Sequence, residues 1–237
     1  MWAKTLVFAI MGLCIYGNAE AYHMMDYSFG NIEIYGGCEL FPTNTFSIQD
    51  PELNSSGGEL EKGYYGVKIG LGGKWDASFT NAEYGNRMNF SMPLGGTTLD
   101  VPFRGDVTFR EYRVSYHPDR NWELYAQDSH VIGISTAHLP LGGDIHLDSE
   151  NHRFLAGFRY AKPIGHQTAA YVGLGLGDGM QRAETGVTIS LEKNWAMDIS
   201  YQYNKLTDMV TYDPLPGAHF DFDVESSGLY VGLAYHF

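Results

Sequence analysis

The segment Gly228-Leu-Tyr-Val-Gly-Leu-Ala-Tyr-His-Phe237 decides the fold. Leu229, Val231, Leu233, Tyr235 and Phe237 fall on one side of an extended chain, and Gly228, Tyr230, Gly232, Ala234 and His236 on the other. A strict period of two marks a strand with two different environments. One side is apolar and ends on an aromatic ring. The other mixes glycine, tyrosine and histidine.

The same alternation recurs upstream. Trp195, Met197, Ile199, Tyr201 and Tyr203 alternate with Ala196, Asp198, Ser200, Gln202 and Asn204. Tyr65, Val67, Ile69 and Leu71 alternate with Tyr64, Gly66, Lys68 and Gly70. Phe154, Ala156, Phe158 and Tyr160 oppose Arg153, Leu155, Gly157 and Arg159. Ten strands are expected, at 31–40, 63–71, 75–84, 106–116, 122–134, 152–161, 167–177, 181–191, 195–205 and 225–237. Misreading one hairpin would make the number eight or twelve. Short turns at 72–74, 117–121, 162–166 and 192–194 alternate with longer connections. That asymmetry is the pattern of a transmembrane barrel, with short periplasmic turns and long extracellular loops.

A weak repeat supports this. Trp75, Trp122 and Trp195 each stand first after a short turn. Indole prefers the membrane–water boundary, where the ring is apolar and the N–H stays wet. These three form an expected interface girdle. Alternation alone does not say which face is outward, since a soluble lipocalin-like barrel has the same period. The terminal aromatic row, the tryptophans and a charged fraction of only 18% against 14% aromatics decide for the membrane.

The chain begins Met-Trp-Ala-Lys4, continues with an apolar run over 5–17 and reaches Ala19-Glu20-Ala21. This reads as a signal peptide over 1–21, leaving 22–237 as the barrel. The run is too short for a helical span, which needs about 20 residues. Leu13 before Cys14 is wrong for a lipidation site. Removing Lys4 and Glu20 leaves the net charge at −13, which argues against nucleic acid as a partner. Cys38 is then the single cysteine, so no internal disulfide forms, and a buried small side chain is expected there.

By its leader, strand pattern and C-terminal row, the chain resembles the small bacterial outer-membrane β-barrels of the OmpX, Opa and OmpA-barrel type. The resemblance implies an all-β, antiparallel up-and-down transmembrane barrel in the outer membrane of a Gram-negative envelope. It also implies that Leu229, Val231, Leu233, Tyr235 and Phe237 serve as the signal read by the barrel-assembly machinery. The chain departs from the eight-stranded members by an extra hairpin.

If the polar rows face a lumen, they bring there Glu33, Lys68, Asp76, Glu111, Arg113, Glu123, Arg153, Arg159, Glu184 and Asp198. Charges in a narrow interior need opposite charges or hydrogen bonds, because desolvation is costly. Tyr35, Tyr64, Tyr125, Tyr171 and Tyr230 share those rows. The expected lumen is plugged, with a narrow passive channel as the alternative.

His130, His138, His146, His152, Asp144 and Asp148 gather around one long loop, near Ser129 and Ser135. No nucleophile–base spacing is present, so a lipid A-modifying enzyme or an omptin-like protease is the lesser alternative and no catalytic residue is assigned. The same residues read as solvated loop, not a metal site, and the acidic runs 50–61 and 213–225 lack an EF-hand spacing. Gly173, Gly175 and Gly177 read as strand packing, not a phosphate loop. The expectation is a surface-exposed structural or adhesion-type barrel without cofactor. Its partners would be outer-membrane lipid and lipopolysaccharide and, beyond the cell, host or neighbouring-cell ligands.

Overall fold

The computed structural model describes residues 27–48, 53–56, 61–94, 97–138, 143–191, 194–215 and 218–237. The expected signal peptide lies outside them. The strands are β1 (Ile32–Ile48), β2 (Leu53–Ser56), β3 (Glu61–Gly72), β4 (Trp75–Leu94), β5 (Thr97–Tyr116) and β6 (Trp122–His138). They continue as β7 (Asp144–Pro163), β8 (Thr168–Gly177), β9 (Met180–Ser190), β10 (Trp195–Leu215) and β11 (Ala218–His236). Neighbours in sequence are antiparallel neighbours in space, and β11 returns to pair with β1. β2 is no extra stave. Cys38 faces Gly63 on β3 and Thr45 faces Ser56 on β2, seven residues further along both arms in one register. The barrel is closed and ten-stranded.

Its stagger follows from the pairings. Stepping from Ile32 through Ile69, Ala77, Val114, Ala126, Ala156, Leu176, Gln181, Lys205 and Glu225 returns to β1 at Thr45. Thr45 is thirteen residues beyond Ile32, and the bulge between Leu40 and Thr43 supplies one of them. A stagger of twelve over ten strands corresponds to a tilt of about 40° and a backbone radius of roughly 10 Å.

The turns at one end are tight. Gly72 (φ 82°), Gly73 (φ 59°) and Lys74 (φ 78°) are all left-handed, which glycine adopts without penalty and lysine does not. In the β5–β6 turn, the Asp119 carboxylate accepts from the Asn121 and Trp122 amides at 2.8 and 3.1 Å. Trp75, Trp122 and Trp195 follow these turns on the outer surface, beside Tyr116, Tyr160 and Tyr235 respectively.

The outward face settles what alternation left open. Ile34, Tyr65, Ile69, Tyr112, Val114, Leu124, Phe154, Leu174 and Leu233 are exposed on the outside, while Asp76, Glu123, Gln127, Ser129 and Ser200 are buried within. Apolar side chains outside and polar ones inside are the arrangement of a barrel in lipid. Cys38 corrects an expectation: it is exposed on the outward row, not buried.

The long loops are also revised. A bilayer crossing needs about 9–11 tilted residues, yet β4, β5 and β7 have 20 residues each and β10 has 21. Among the described residues, β8 and β9 stop at that length, with 10 and 11 residues. The stretches expected as loops continue the ladder instead. Above β8 and β9 the pairings divide into two upright walls, β4–β5–β6–β7 and β10–β11–β1–β2.

Candidate functional site

Alternation on the strands inverts where the walls leave the membrane. On β5, outward Val114 and Tyr112 give way to exposed Arg110, Asp106 and Arg104, while inward Arg113 and Glu111 give way to Phe109 and Val107. On β11, the outward row passes from Leu229 to Glu225 and the inward row from Tyr230 to Val224. Eight residues separate Trp122 from outward His130 on β6, about 21 Å of height at a tilt near 40°. That is close to the ~25 Å apolar band of such barrels. The inversion marks the outer boundary of the lipid.

Below it the lumen holds an ionic network. Arg159 binds Glu184 in bidentate fashion at 2.9 and 3.0 Å, with its Nη1 3.8 Å from Glu123. Arg113 donates to Gln127 at 2.8 and 3.0 Å and lies 4.1 Å from the Tyr125 ring centre. Ser115 donates to Glu123 at 2.8 Å. Asp198 accepts from Tyr171 and Thr188 at 2.8 and 2.9 Å. Glu33 pairs with Lys68 at 3.8 Å and His236 at 3.2 Å. Arg182 joins Glu111 across the interior and donates to Asn204 at 2.9 Å. A cavity of about 270 Å³ remains among these groups.

Above the ions lies an apolar layer of Phe109, Val131, Leu155, Met180 and Leu206, with Tyr64, Val107 and Val224 packed against it. Leu155 is fully buried and Phe109 is 8% exposed. Tyrosines thicken the layer by lying over glycines. A Cβ at Gly157 would come within 2.5 Å of the Tyr125 ring, and one at Gly66 within 2.4 Å of Tyr35. Only a missing side chain admits the ring there.

At the periplasmic mouth, Tyr27 stacks on His117 with ring centres 3.8 Å apart. The His117 Nε2 bonds the Asp76 carboxylate at 2.6 Å, and both groups are buried. The segment 27–31 is fixed by Gly72 N to Tyr27 O at 2.9 Å and Gly30 N to Gly70 O at 3.0 Å.

Of the residues expected in the lumen, Glu33, Lys68, Glu111, Arg113, Glu123, Arg159, Glu184 and Asp198 line this cavity. Asp76 sits at the mouth. Arg153 lies elsewhere, beside Gly179 in the β8–β9 turn. Arg182, Gln127, His117 and His236 were missed. Arg182 has the same parity as Glu184 on β9, so its row was already readable; His117 and Tyr27 carry no periodic signal.

His138 and His146, expected between strands, stand on β6 and β7, as His130 and His152 do. His130 and His152 are cross-strand partners on the outer surface, stacked with centres 4.5 Å apart. His130 bonds Glu150 at 2.7 Å and His152 bonds Asp128 at 3.1 Å. Ser129 is buried inside and accepts from Gln127 at 2.8 Å. The side chains of His138, Asp148 and Ser135 lie outside the described residues.

No protein-family profile matches the chain, and no curated protein is significantly similar in sequence. Solved structures are similar in shape. The outer-membrane protease OmpT from Escherichia coli matches with a TM-score of 0.52 at 9% identity, over 92% of this chain and 100% of that one. Ail, the attachment invasion locus protein of Yersinia pestis, matches with a TM-score of 0.45 at 12% identity, over 88% and 99%. At these identities the likeness is one of fold. Taken with the lipid-facing apolar belt and the polar interior, it makes this chain a closed, ten-stranded bacterial outer-membrane β-barrel.

Proposed function

We propose that this barrel is a non-conducting surface protein, of structural or adhesion type, whose work is done by the two walls above the lipid. The observation that supports this reading most is the closed interior: cross-lumen ion pairing beneath a packed apolar layer. A solute crossing the lumen would have to displace charge pairs held at 2.9–3.0 Å and then a buried apolar cluster. Among the described residues, the wall β4–β5–β6–β7 exposes Arg104, Asp106, Arg110, Glu150 and His152 beyond the membrane, where partners on other cells or in lipopolysaccharide are met. On this reading the chain is not an enzyme; His117 and Asp76 are covered by Tyr27 and only 3% and 0% exposed.

Planar-bilayer recording of the refolded protein tests the first half. Absence of current steps is expected, with steps appearing once Phe109, Leu155 and Leu206 are replaced by serine. Stable steps from the unaltered protein would move the function to the ionic cavity and establish the channel reading, which the space of about 270 Å³ favours. Cell-binding assays with walls shortened to the length of β8 and β9 test the second half. Binding retained by folded, shortened barrels would overturn it.

A further inference from the structure

Pairing the charges that line the lumen cavity leaves one acid over. Lys68 pairs with Glu33 and Arg113 with Glu123, each at 3.8 Å, while Arg159 takes Glu184 at 2.9 Å and Arg182 takes Glu111. Every lysine and arginine of the lining thus has its own carboxylate. The imidazoles are engaged as well, His236 with Glu33 at 3.2 Å and His117 with Asp76 at 2.6 Å. Among the described residues, Asp198 on β10 makes no ion pair; one oxygen accepts from Tyr171 and the other from Thr188. An ionised carboxylate has about four acceptor positions. Each oxygen of Asp198 therefore keeps one to offer.

The surroundings suit a positive charge that carries apolar groups. Asp198, Tyr64 and Tyr230 line the same cavity of about 270 Å³. The cross-strand neighbour of Asp198 on β11 is Gly232, and the Tyr64 hydroxyl lies over that glycine, where a Cβ would collide with it. Tyr230 stands on the same inward row of β11, opposite Ser200, and its ring centre is 6.2 Å from that of Tyr64. The faces of such rings attract cations. The Tyr171 ring already serves Arg159, whose guanidinium lies 4.7 Å above it. The cavity reaches the periplasmic mouth at Tyr27, His117 and His236. Ala196 and Ala234, one step nearer that mouth on the same rows, add only methyl groups to the approach.

We propose that the lumen holds a binding site for a small organic ammonium ion that enters from the periplasm, with Asp198 as its counter-charge and Tyr64 and Tyr230 as its aromatic walls. A buried carboxylate without a counter-charge is costly, and a bound cation removes that cost. The layer of Phe109, Leu155 and Leu206 above makes the site a dead end. Its volume is near the lower limit for ligand sites, about 300 Å³, so the occupant is small. A bare divalent cation fits less well, because it wants about six or more oxygen ligands and only one carboxylate is left over. An anion would meet Asp198 and find each guanidinium already paired. An ammonium bearing methyl or methylene groups uses both the charge and the rings.

Choline and its uncharged isostere 3,3-dimethylbutan-1-ol test this, since they differ in replacing the charged nitrogen by carbon. Each is titrated calorimetrically into the refolded full chain in detergent micelles, with folding checked by heat-modifiable gel mobility. Choline is expected to bind about tenfold more tightly than the isostere, or better. Asp198→Asn should weaken choline by about the same factor and leave the isostere nearly unchanged. Tyr64→Leu should weaken choline about fivefold. Equal binding of the two compounds, no binding of choline, or choline binding unmoved by Asp198→Asn would each overturn the proposal. If Asp198→Asn does not fold, the matched compounds still decide. A conducting lumen would open a second route to the cavity without altering this comparison, so the site and the closed-interior reading fail separately.

Discussion

Arg182 on β9 meets Glu111 on β5 across the lumen, 71 positions away in sequence and four strands away around the wall. A contact of that kind ties opposite staves together where the ladder cannot. It also places the guanidinium beneath Phe109, at the level where the ionic layer passes into the apolar one. Closure of the barrel interior thus depends on a pair whose two members are each nearly buried.

Removing one partner leaves the other charge uncompensated. Breaking a buried pair costs about 3–5 kcal/mol, whereas replacing both partners by apolar groups of similar size is often close to neutral. Arg182→Met is therefore expected to destabilise the barrel by about 3 kcal/mol, read from urea-induced unfolding in lipid vesicles. The double variant Arg182→Met with Glu111→Leu should recover most of that loss. Additive losses in the double variant would show that the two residues act independently.

The tyrosine-over-glycine packing carries a second expectation. Gly157→Ala places a Cβ against the Tyr125 ring, Leu174 O and the Tyr125 hydroxyl, all nearer than real Cβ contacts allow. Overpacking of this kind costs about 1–3 kcal/mol. Tyr125→Ala in the same protein should relieve the part due to the ring. If Gly157→Ala unfolds at the parent urea midpoint, the ring is not held over that position.

The inversion of the two faces predicts where charge is tolerated. Val114→Arg, opposite Ala126 midway between Trp122 and His130, is expected to cost about 2–4 kcal/mol, and Leu124→Arg, one outward position nearer the girdle, somewhat less. Asp106→Arg, on the same outward row of β5 but above the boundary, should cost under about 1 kcal/mol. A similar penalty at all three positions would contradict a boundary between Tyr112 and Asp106.

Much of this was legible beforehand. The period of two located ten strands because each stave meets lipid on one side and packed interior on the other, and Trp75, Trp122 and Trp195 marked one end. The wall extensions were not recognised, because the same period continues through them with its sense reversed. On β5 the strand expected at 106–116 already includes Arg110 and Asp106, and the part taken for loop is 97–105. The inward row Phe109 and Val107 was the missing signal. Arg182 shares the row of Glu184 on β9 and was nevertheless passed over. Tyr27 and His117 escaped because their encounter depends on the return of a non-periodic segment to the barrel mouth.

Cys38 offers a direct depth measurement. It is exposed on the outward row of β1, opposite Val231 on β11 and Gly63 on β3. Val231 is four residues above Tyr235, about 10 Å above the aromatic girdle at the strand tilt derived from the stagger. A nitroxide attached at Cys38, with Cys14 replaced by serine, should therefore sit in hydrocarbon. Its relaxation in vesicles should be enhanced strongly by oxygen, which partitions into lipid, and weakly by a water-soluble nickel chelate. Labels at Asp106→Cys and Glu150→Cys, above the inversion, should show the opposite preference. Nickel accessibility at Cys38 would mean that β1 turns this face toward water, and the lipid boundary drawn from β5 and β11 would have to be moved.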